Sequence, residues 1–170
     1  EEPAGKIVAF MDADEFRATW VANKAVYRTR MAIADGGELL VIAPGVERFG
    51  EQPEVDDLIR KYGYISQAEV VDLYQREADM QDIPHGTAHL VHGSSEGRFS
   101  ITYAPGKLTR EDIESVGYQY MDVEEALRRY DPKVMKDGWN TLPDGEEVFF
   151  ISTPAAGLWS TREKLEGRGK

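Results

Sequence analysis

A chain of 170 residues is long enough for one domain with a sizeable core, and charge interrupts its 41% of hydrophobic residues too often for a membrane span or a signal peptide. The formal net charge of -11 argues against nucleic acid or an anionic membrane as a partner, because both require a basic face. The chain has no cysteine, which excludes disulfides, thiolate metal ligands and a cysteine nucleophile, and a soluble cytoplasmic protein is the simplest expectation.

The first half of the chain is predicted to alternate between strands and helices. "GKIVAFMD" at 5–12 is an apolar run of strand length, and a helical pattern that Asp14 can cap follows it as far as Asp35. The glycines at 36 and 37 are expected to end this helix. "ELLVIAP" at 38–44 is a second strand, apolar enough to be covered on both faces. Further helices are predicted at 53–62, 66–79 and 86–92.

The second half continues the same alternation. "RFSITYAP" at 98–105 is predicted as the third strand, "YQYMD" at 118–122 as the fourth and "EEVFFIST" at 146–153 as the fifth. Between them, "LTREDIESVG" has a capping-box-like start, with Thr109 and Asp112 three residues apart, and "VEEALRRY" is a helical pattern.

This order of elements predicts an α/β fold. We expect a doubly wound, Rossmann-like domain at 1–159, with a mainly parallel sheet of about five strands and helices on both faces, and a charged tail at 160–170 that frays. Ligands of such sheets approach the carboxyl ends of the strands. A dinucleotide is not expected, because "FMDADEFRAT" after the first strand lacks the glycine-rich turn, and no P-loop, HExxH or GxSxG motif occurs.

The first predicted helix has a lysine in an apolar stripe. Lys24 lies between Trp20 and Tyr27 on one face, and Arg28 is at the side of that stripe. Lys24 can be an edge residue that extends its charge to solvent, or a cation directed at an anionic ligand. The residues alone leave both readings open, and flanking arginines can equally belong to a solvated basic face.

All three histidines lie within "PHGTAHLVHG". His85, His89 and His92 could share part of a helical face, but a metal site normally needs three or four convergent ligands with supporting contacts. Histidines at such positions more often pack in a core or contact the last carbonyls of a helix. We therefore predict no metal site here.

Two loops contain further candidate substrate-binding residues. Ser94 and Ser95 follow the histidine helix in "GSSEGRF", although a tight turn that requires its glycines is the alternative reading. Arg48 follows the second strand and is therefore expected at the ligand-binding edge of the sheet, although it could simply pair with Glu47 or Glu51.

Three long stretches of the chain resemble a known family: "NKAVYRTRMAIADGGELLVIAPGVERFGE", "AHLVHGSSEGRFSITYAP" and "GWNTLPDGEEVFFISTPAAGLW". They look like the C-terminal domain of the lactate racemase family, the nickel-pincer-nucleotide enzymes, and most of all like a branch often labelled D-mannonate epimerase or oxidoreductase. The resemblance covers nearly the whole chain.

The resemblance implies a two-domain enzyme that removes hydride from carbon 2 of a 2-hydroxy acid and returns it to either face. It also implies that an N-terminal domain missing from this chain carries the nickel-pincer nucleotide, its attaching lysine and the catalytic and nickel-binding histidines. This chain would then be the substrate-side domain, with no catalytic residue or metal ligand of its own, and would be inactive alone.

The resemblance makes Lys24 similar to the family's lysine that reaches into the interdomain cleft toward the substrate. The family's glutamine one turn before that lysine falls at Val21, which is a departure that makes lactate itself doubtful as the substrate. Asn23 and Arg28 are close enough in the sequence to compensate, and a sugar acid would suit additional polar contacts.

Three functions therefore stand as hypotheses. The first is the substrate-side domain of a racemase or epimerase for 2-hydroxy acids or sugar acids. The alternatives are a D-mannonate-type oxidoreductase and a binding or regulatory module that has kept the fold without catalysis. The coding sequence upstream of Glu1 separates them, because a second domain with clustered histidines and a lysine supports the first hypothesis.

Overall fold

The computed structural model of the chain describes residues 2–167, which form a sheet with helices around it. The strands in this range are β1 (Ala4–Phe10), β2 (Ile33–Ala43), β3 (Ser100–Pro105), β4 (Gln119–Tyr120), β5 (Gly138–Thr141) and β6 (Glu147–Ile151). The helices in this range are α1 (Thr19–Ala22), α2 (Lys24–Thr29), α3 (Pro53–Tyr62), α4 (Gln67–Arg76), α5 (Ala78–Asp82), α6 (Pro84–His92), α7 (Arg110–Ser115), α8 (Val123–Arg129) and α9 (Arg162–Glu166).

The sheet has the strand order β4-β3-β2-β1-β6-β5. Neighbouring strands are parallel except β5 and β6, which form an antiparallel pair at one edge. The chain moves outward from β1 through β2 and β3 to β4, and then returns to the other side of β1. The predicted doubly wound α/β fold is therefore confirmed. The direction in which the chain adds strands to the sheet reverses between β1 and β6.

Consecutive residues of the central strands belong to two different cores. Ile7 and Leu39 join a large cluster with the buried residues of the helices between β1 and β4. Val8 and Leu40 join a smaller cluster on the other face, with Ala126 of α8. The chain therefore covers both faces of its own sheet. Among the described helices, none is long and apolar enough to cross a membrane.

The helix predicted from Asp14 to Asp35 is wrong in its extent. Residues 13–15 form a turn, and the backbone of Ala18 pairs with that of Arg48 before α1 begins. The helical path is interrupted at Asn23 and ends at Thr29. From residue 33 the chain already belongs to β2, and the "GG" at 36 and 37 lies inside that strand, where its register with β1 shifts.

The structure adds β5, a strand that the sequence analysis did not predict. Its sequence "GWNT" is short and its residues alternate between exposed and half-buried, so it has no apolar run. The predicted helix at 66–79 is divided into α4 and α5 by an extended residue, Glu77. The capping box of Thr109 and Asp112 is confirmed at the start of α7.

The predicted charged tail at 160–170 lies partly outside the described residues, because the structure describes it only as far as residue 167. Within that part, α9 begins after a buried Thr161, whose side chain accepts a hydrogen bond from the backbone N–H of Lys164.

Candidate functional site

Lys24 is the first residue of α2 and lies one turn after Trp20. Its ammonium lies 5.9 Å from the centre of the Phe16 ring, so the side chain points back toward the carboxyl ends of β1 and β2. Within residues 2–167, Lys24 makes no ion pair, whereas Lys6 and Lys61 are each paired with a carboxylate. The positive charge of Lys24 is therefore available to bind an anionic group that residues 2–167 do not supply.

Asn23, the residue before Lys24, is completely buried between α1 and α2. Its side-chain oxygen accepts a hydrogen bond of 2.9 Å from the hydroxyl of Tyr103, and its Nδ2 donates one of 3.1 Å to the hydroxyl of Tyr118. Tyr118 in turn donates to the carbonyl of Gly93 at 2.7 Å. These contacts tie the break in the helix to β3 and hold the backbone from which Lys24 extends.

Arg48 lies at the same end of the sheet as the ammonium of Lys24. The N–H of Thr19 donates to the carbonyl of Arg48 at 3.1 Å, which holds the loop after β2 against the start of α1. The guanidinium of Arg48 donates to Glu47 at 3.1 Å and to Glu51 at 2.9 Å. Arg48 is therefore at the predicted edge and is also paired with both carboxylates that the sequence offered as its alternative partners.

A cavity of about 200 Å³ lies beside Trp20, and we call it the Trp20 pocket. Trp20 comes from α1, Val55 from α3 and His85 from the first turn of α6, and the loop before α3 supplies the other two residues. The lining residues are Trp20, Glu51, Gln52, Val55 and His85. Arg48 binds the carboxylate of Glu51 on the pocket wall at 2.9 Å.

The three histidines pack against aromatic rings of α1 and α2. The ring centres of His85 and Trp20 are 6.0 Å apart with an interplanar angle of 81°, and those of His89 and Trp20 are 4.7 Å apart. His92 lies 5.4 Å from the Tyr27 ring. No group of three or more His, Cys, Asp or Glu side chains in the range 2–167 has the geometry to hold a metal ion.

His89 is also part of a buried hydrogen-bond chain. Its Nε2 lies 2.9 Å from the hydroxyl of Tyr64, which lies 2.7 Å from that of Thr19. Thr19 donates to the carbonyl of Phe49 at 3.1 Å. Since each hydroxyl has one proton, Nε2 of His89 is the donor at the other end of the chain. Burial lowers the pKa of His89 to about 3, so its imidazole is neutral at neutral pH.

Two arginines of this region are bound to backbone carbonyls. Arg28 donates to the carbonyl of Gly157 at 3.0 Å, and Arg30 donates to the carbonyl of His92 at 2.7 Å. Burial lowers the pKa of the Arg30 guanidinium from its ordinary value. The guanidinium of Arg28 therefore faces the segment after β6 rather than the Trp20 pocket.

Ser94 and Ser95 lie at the opposite end of the sheet, in the turn that precedes β3. Ser94 is buried, and its hydroxyl accepts a hydrogen bond of 3.0 Å from the N–H of Glu96. Ser95 lines a separate cavity of about 130 Å³ near the start of β3. The structure therefore does not bring the two serines together with Lys24 and Arg48.

A larger cavity of about 420 Å³ lies beside the carboxyl end of β6. Phe149 and Trp159 form part of its wall, and Asp137 accepts hydrogen bonds from the N–H and the hydroxyl of Ser152 there. No lysine or arginine lines this cavity within the described residues. It is therefore less suited to a carboxylate ligand than the end of the sheet where Lys24 lies.

Lys24 and Arg48 could be named from the sequence, but the Trp20 pocket could not. Trp20 was recognised only as part of an apolar stripe, and Glu51 only as a partner for Arg48. Gln52 was not singled out. Their position in the sequence could have identified Glu51 and Gln52. Both lie between the carboxyl end of a predicted strand and Pro53, which can occupy the first turn of a helix.

The comparisons with known proteins show the fold. No family model matches the sequence, and no match was found among curated proteins. A crystal structure of a protein from Thermotoga maritima has a TM-score of 0.65 and 19% sequence identity, covering 95% of this chain and 37% of that one. The lactate racemase apoprotein from Thermoanaerobacterium thermosaccharolyticum has a TM-score of 0.59 and 13% identity, covering 95% of this chain and 36% of that one.

These likenesses establish that the chain shares the fold of a segment of lactate racemase. At such identities the similarity shows the fold alone. The chain spans a little over a third of the length of each of the two proteins.

Proposed function

We propose that this chain is the substrate-side, C-terminal domain of an isomerase that inverts carbon 2 of a 2-hydroxy acid, in the manner of a racemase or epimerase. One observation carries the proposal: the ammonium of Lys24, which makes no ion pair within residues 2–167, lies at the carboxyl edge of the sheet, in a chain with the fold of a lactate racemase segment. A cation that the protein itself does not neutralise is suited to bind the carboxylate of a small substrate.

In the proposed reaction the chain binds and orients the substrate. Lys24 holds the substrate carboxylate by a charge-assisted hydrogen bond, so that carbon 2 faces the N-terminal domain, which we propose to be the partner of this chain. Arg48 lies at the same end, but Glu47 and Glu51 bind its guanidinium, so the carboxylate is assigned to Lys24 alone. The hydrogen bonds of the buried Asn23 side chain hold the backbone from which Lys24 extends.

The residues of this chain do not fit the nickel-pincer nucleotide as a bound group. The three histidines face Trp20 and Tyr27, and His89 is further bound to Tyr64. We therefore propose that the N-terminal domain holds the cofactor, and that the residues of this chain bind and orient the substrate.

The departure at Val21 supports a substrate other than lactate, because the hydrophobic side chain cannot supply the hydrogen bond of the family's glutamine. A sugar acid such as D-mannonate brings further hydroxyl groups that polar residues can bind. We propose a sugar acid as the substrate for that reason.

The experiment that tests the proposal is a labelled epimerisation assay with the complete protein. Candidate 2-hydroxy acids, including D-lactate and D-mannonate, carry deuterium at carbon 2, and chiral chromatography with mass spectrometry follows the products. We expect the opposite configuration at carbon 2 with the deuterium retained, because the hydride that leaves carbon 2 returns to it.

Two other results would contradict the proposal. Accumulation of a 2-keto acid with loss of the deuterium to an added nicotinamide cofactor would indicate an oxidoreductase. Binding of a hydroxy acid with no change at carbon 2 under any cofactor condition would indicate a binding module.

A further inference from the structure

We propose that the Trp20 pocket binds the part of the substrate beyond carbon 2, and that Gln52 and His85 are the residues that favour a hydroxylated chain over the methyl group of lactate. The inference deepens the proposed function and relies on it for the position of the carboxylate. The chemistry of the pocket itself comes from its own lining residues.

The charges of the site determine which end of a substrate faces the pocket. Glu51 lies on the pocket wall and repels a carboxylate, whereas the ammonium of Lys24 attracts one. A hydroxy acid is therefore expected to direct its carboxylate toward Lys24 and its uncharged end toward Glu51. Arg48 binds the carboxylate of Glu51, and the remaining lone pairs of that carboxylate can accept hydrogen bonds from hydroxyl groups.

The size of the pocket favours a longer substrate than lactate. A cavity of about 200 Å³ has room for several water-sized groups, because one water occupies roughly 30 Å³ in the liquid. The methyl group of lactate would leave most of this space to water. A chain of several hydroxylated carbons would fill it.

The lining residues also match the chemistry of a polyol. The half-buried indole of Trp20 and the side chain of Val55 offer apolar surface to C–H groups. The side chains of Gln52 and His85 are exposed and make no hydrogen bond within the described part of the chain. An amide and an imidazole can each donate and accept, which suits hydroxyl groups, since these do both.

The test compares three ligands with this protein: D-lactate, D-mannonate and the neutral polyol D-mannitol. Binding is followed in ¹H–¹⁵N spectra, where the indole N–H signal of Trp20 is assigned by its loss in Trp20→Phe. We expect D-mannonate and D-mannitol to shift that signal, and D-lactate to shift it less.

Variants then separate the pocket from Lys24. Gln52→Ala and His85→Ala are each expected to weaken D-mannonate binding roughly fivefold, because each removes one hydrogen bond, and so to lower the ratio of D-mannonate to D-lactate affinity. Gln75→Ala and His92→Ala are the matched controls, since both residues are exposed and lie outside the pocket. Melting temperatures check that every variant is folded.

Each result has a defined meaning. The inference is overturned if D-mannitol leaves the Trp20 signal unchanged, if the two pocket variants bind D-mannonate as the controls do, or if they weaken both acids equally. If Lys24→Ala changes the binding of neither acid while D-mannitol still shifts Trp20, the proposed function fails and the polyol pocket stands.

Discussion

The hydroxyl of Tyr64 lies 2.9 Å from Nε2 of His89, and both residues are buried. This contact joins the loop before α4 to the helix that carries all three histidines. It also places a titratable imidazole where water cannot solvate its charged form, so burial lowers its pKa.

The first prediction concerns stability at low pH. The folded-state pKa of His89 is about 3 and its unfolded value is 6.5, so the unfolded chain binds the proton more readily between these limits. The stabilisation is complete above pH 6.5 and is lost as the pH falls toward 3. We expect His89 to remove about 1.4 kcal/mol from the free energy of unfolding per pH unit between these limits.

Urea unfolding of the wild type and His89→Gln at several pH values measures this loss. The carboxylates titrate in both proteins, so the difference between the two curves isolates His89. A difference that stays constant between pH 7 and pH 4 would contradict the prediction.

The second prediction concerns Lys24→Ala in the complete protein. Losing the ammonium removes a charge-assisted hydrogen bond and the orientation of the substrate, on the order of 3 kcal/mol or roughly a hundredfold in kcat/KM. Arg28→Ala is expected to cost less catalytic efficiency, because Arg28 faces Gly157.

Epimerisation kinetics with melting temperatures measure this effect, and Lys133→Ala is the control for loss of an exposed lysine charge far from the site. The fold is expected to survive Lys24→Ala, because Phe16, Trp20 and Tyr27 supply the packing around it. Normal efficiency, or a collapsed melting temperature, would make Lys24 a structural residue.

The third prediction concerns Asn23→Ala. The change leaves the buried hydroxyl of Tyr103 without its acceptor, and we expect a loss of about 3 kcal/mol in the free energy of unfolding. In a Tyr103→Phe background the same change should cost clearly less, since no unsatisfied hydroxyl remains there. Chemical unfolding of the four proteins of this cycle gives the coupling, and strict additivity would show that the two residues do not depend on each other.

The order and class of the elements could be predicted from apolar runs, glycines and caps, but the region around the site could not. A helix was expected through Asn23 because Trp20, Lys24 and Tyr27 share a stripe, and that spacing is insensitive to a one-residue break. At the break, Asn23 is hydrogen-bonded to Tyr103 of β3 and to Tyr118 just before β4, both of which are distant along the chain. Likewise, the backbone pairing of Ala18 with Arg48 overrides the local helical pattern and has no local signal.

The residues of the candidate site divide in the same way, into those that the sequence could identify and those that only the folded structure brings together. Position was enough to make Arg48 a candidate and the family resemblance favoured Lys24, whereas the Trp20 pocket needs residues from α1, α3 and α6 to converge. Only tertiary packing brings the side chains of those three segments together. Ser94 and Ser95 were selected as a polar turn, and the direction of the chain at that turn places them at the other end of the sheet.

The fourth prediction concerns two glycine substitutions. A Cβ at Gly93 would collide with the ring of Tyr64, and we expect Gly93→Ala to destabilise the protein by about 3 kcal/mol. A Cβ at Gly5 would meet nothing within 4 Å, and Gly5→Ala is therefore the matched control, with little change or a slight gain in stability. Thermal unfolding decides the point, and equal midpoints for the two variants would be the contrary result.

The fifth prediction concerns nickel. The 170-residue chain is expected to fold and to retain no stoichiometric nickel through dialysis, because its histidines are packed against aromatic rings and do not converge. Plasma emission spectroscopy of the dialysed protein measures the metal, and cobalt or zinc retained in its place would contradict the prediction as much as nickel would.

The sheet order has a consequence for synthesis on the ribosome. Ile7 of β1 pairs with Phe149 of β6, so β1, one of the two central strands, has one unpaired edge until nearly the whole described sequence has been made. Non-local parallel pairings of this kind form late and slowly. A nascent chain that stops before β6 therefore exposes an apolar strand edge, and that is the stage at which aggregation or chaperone binding is expected.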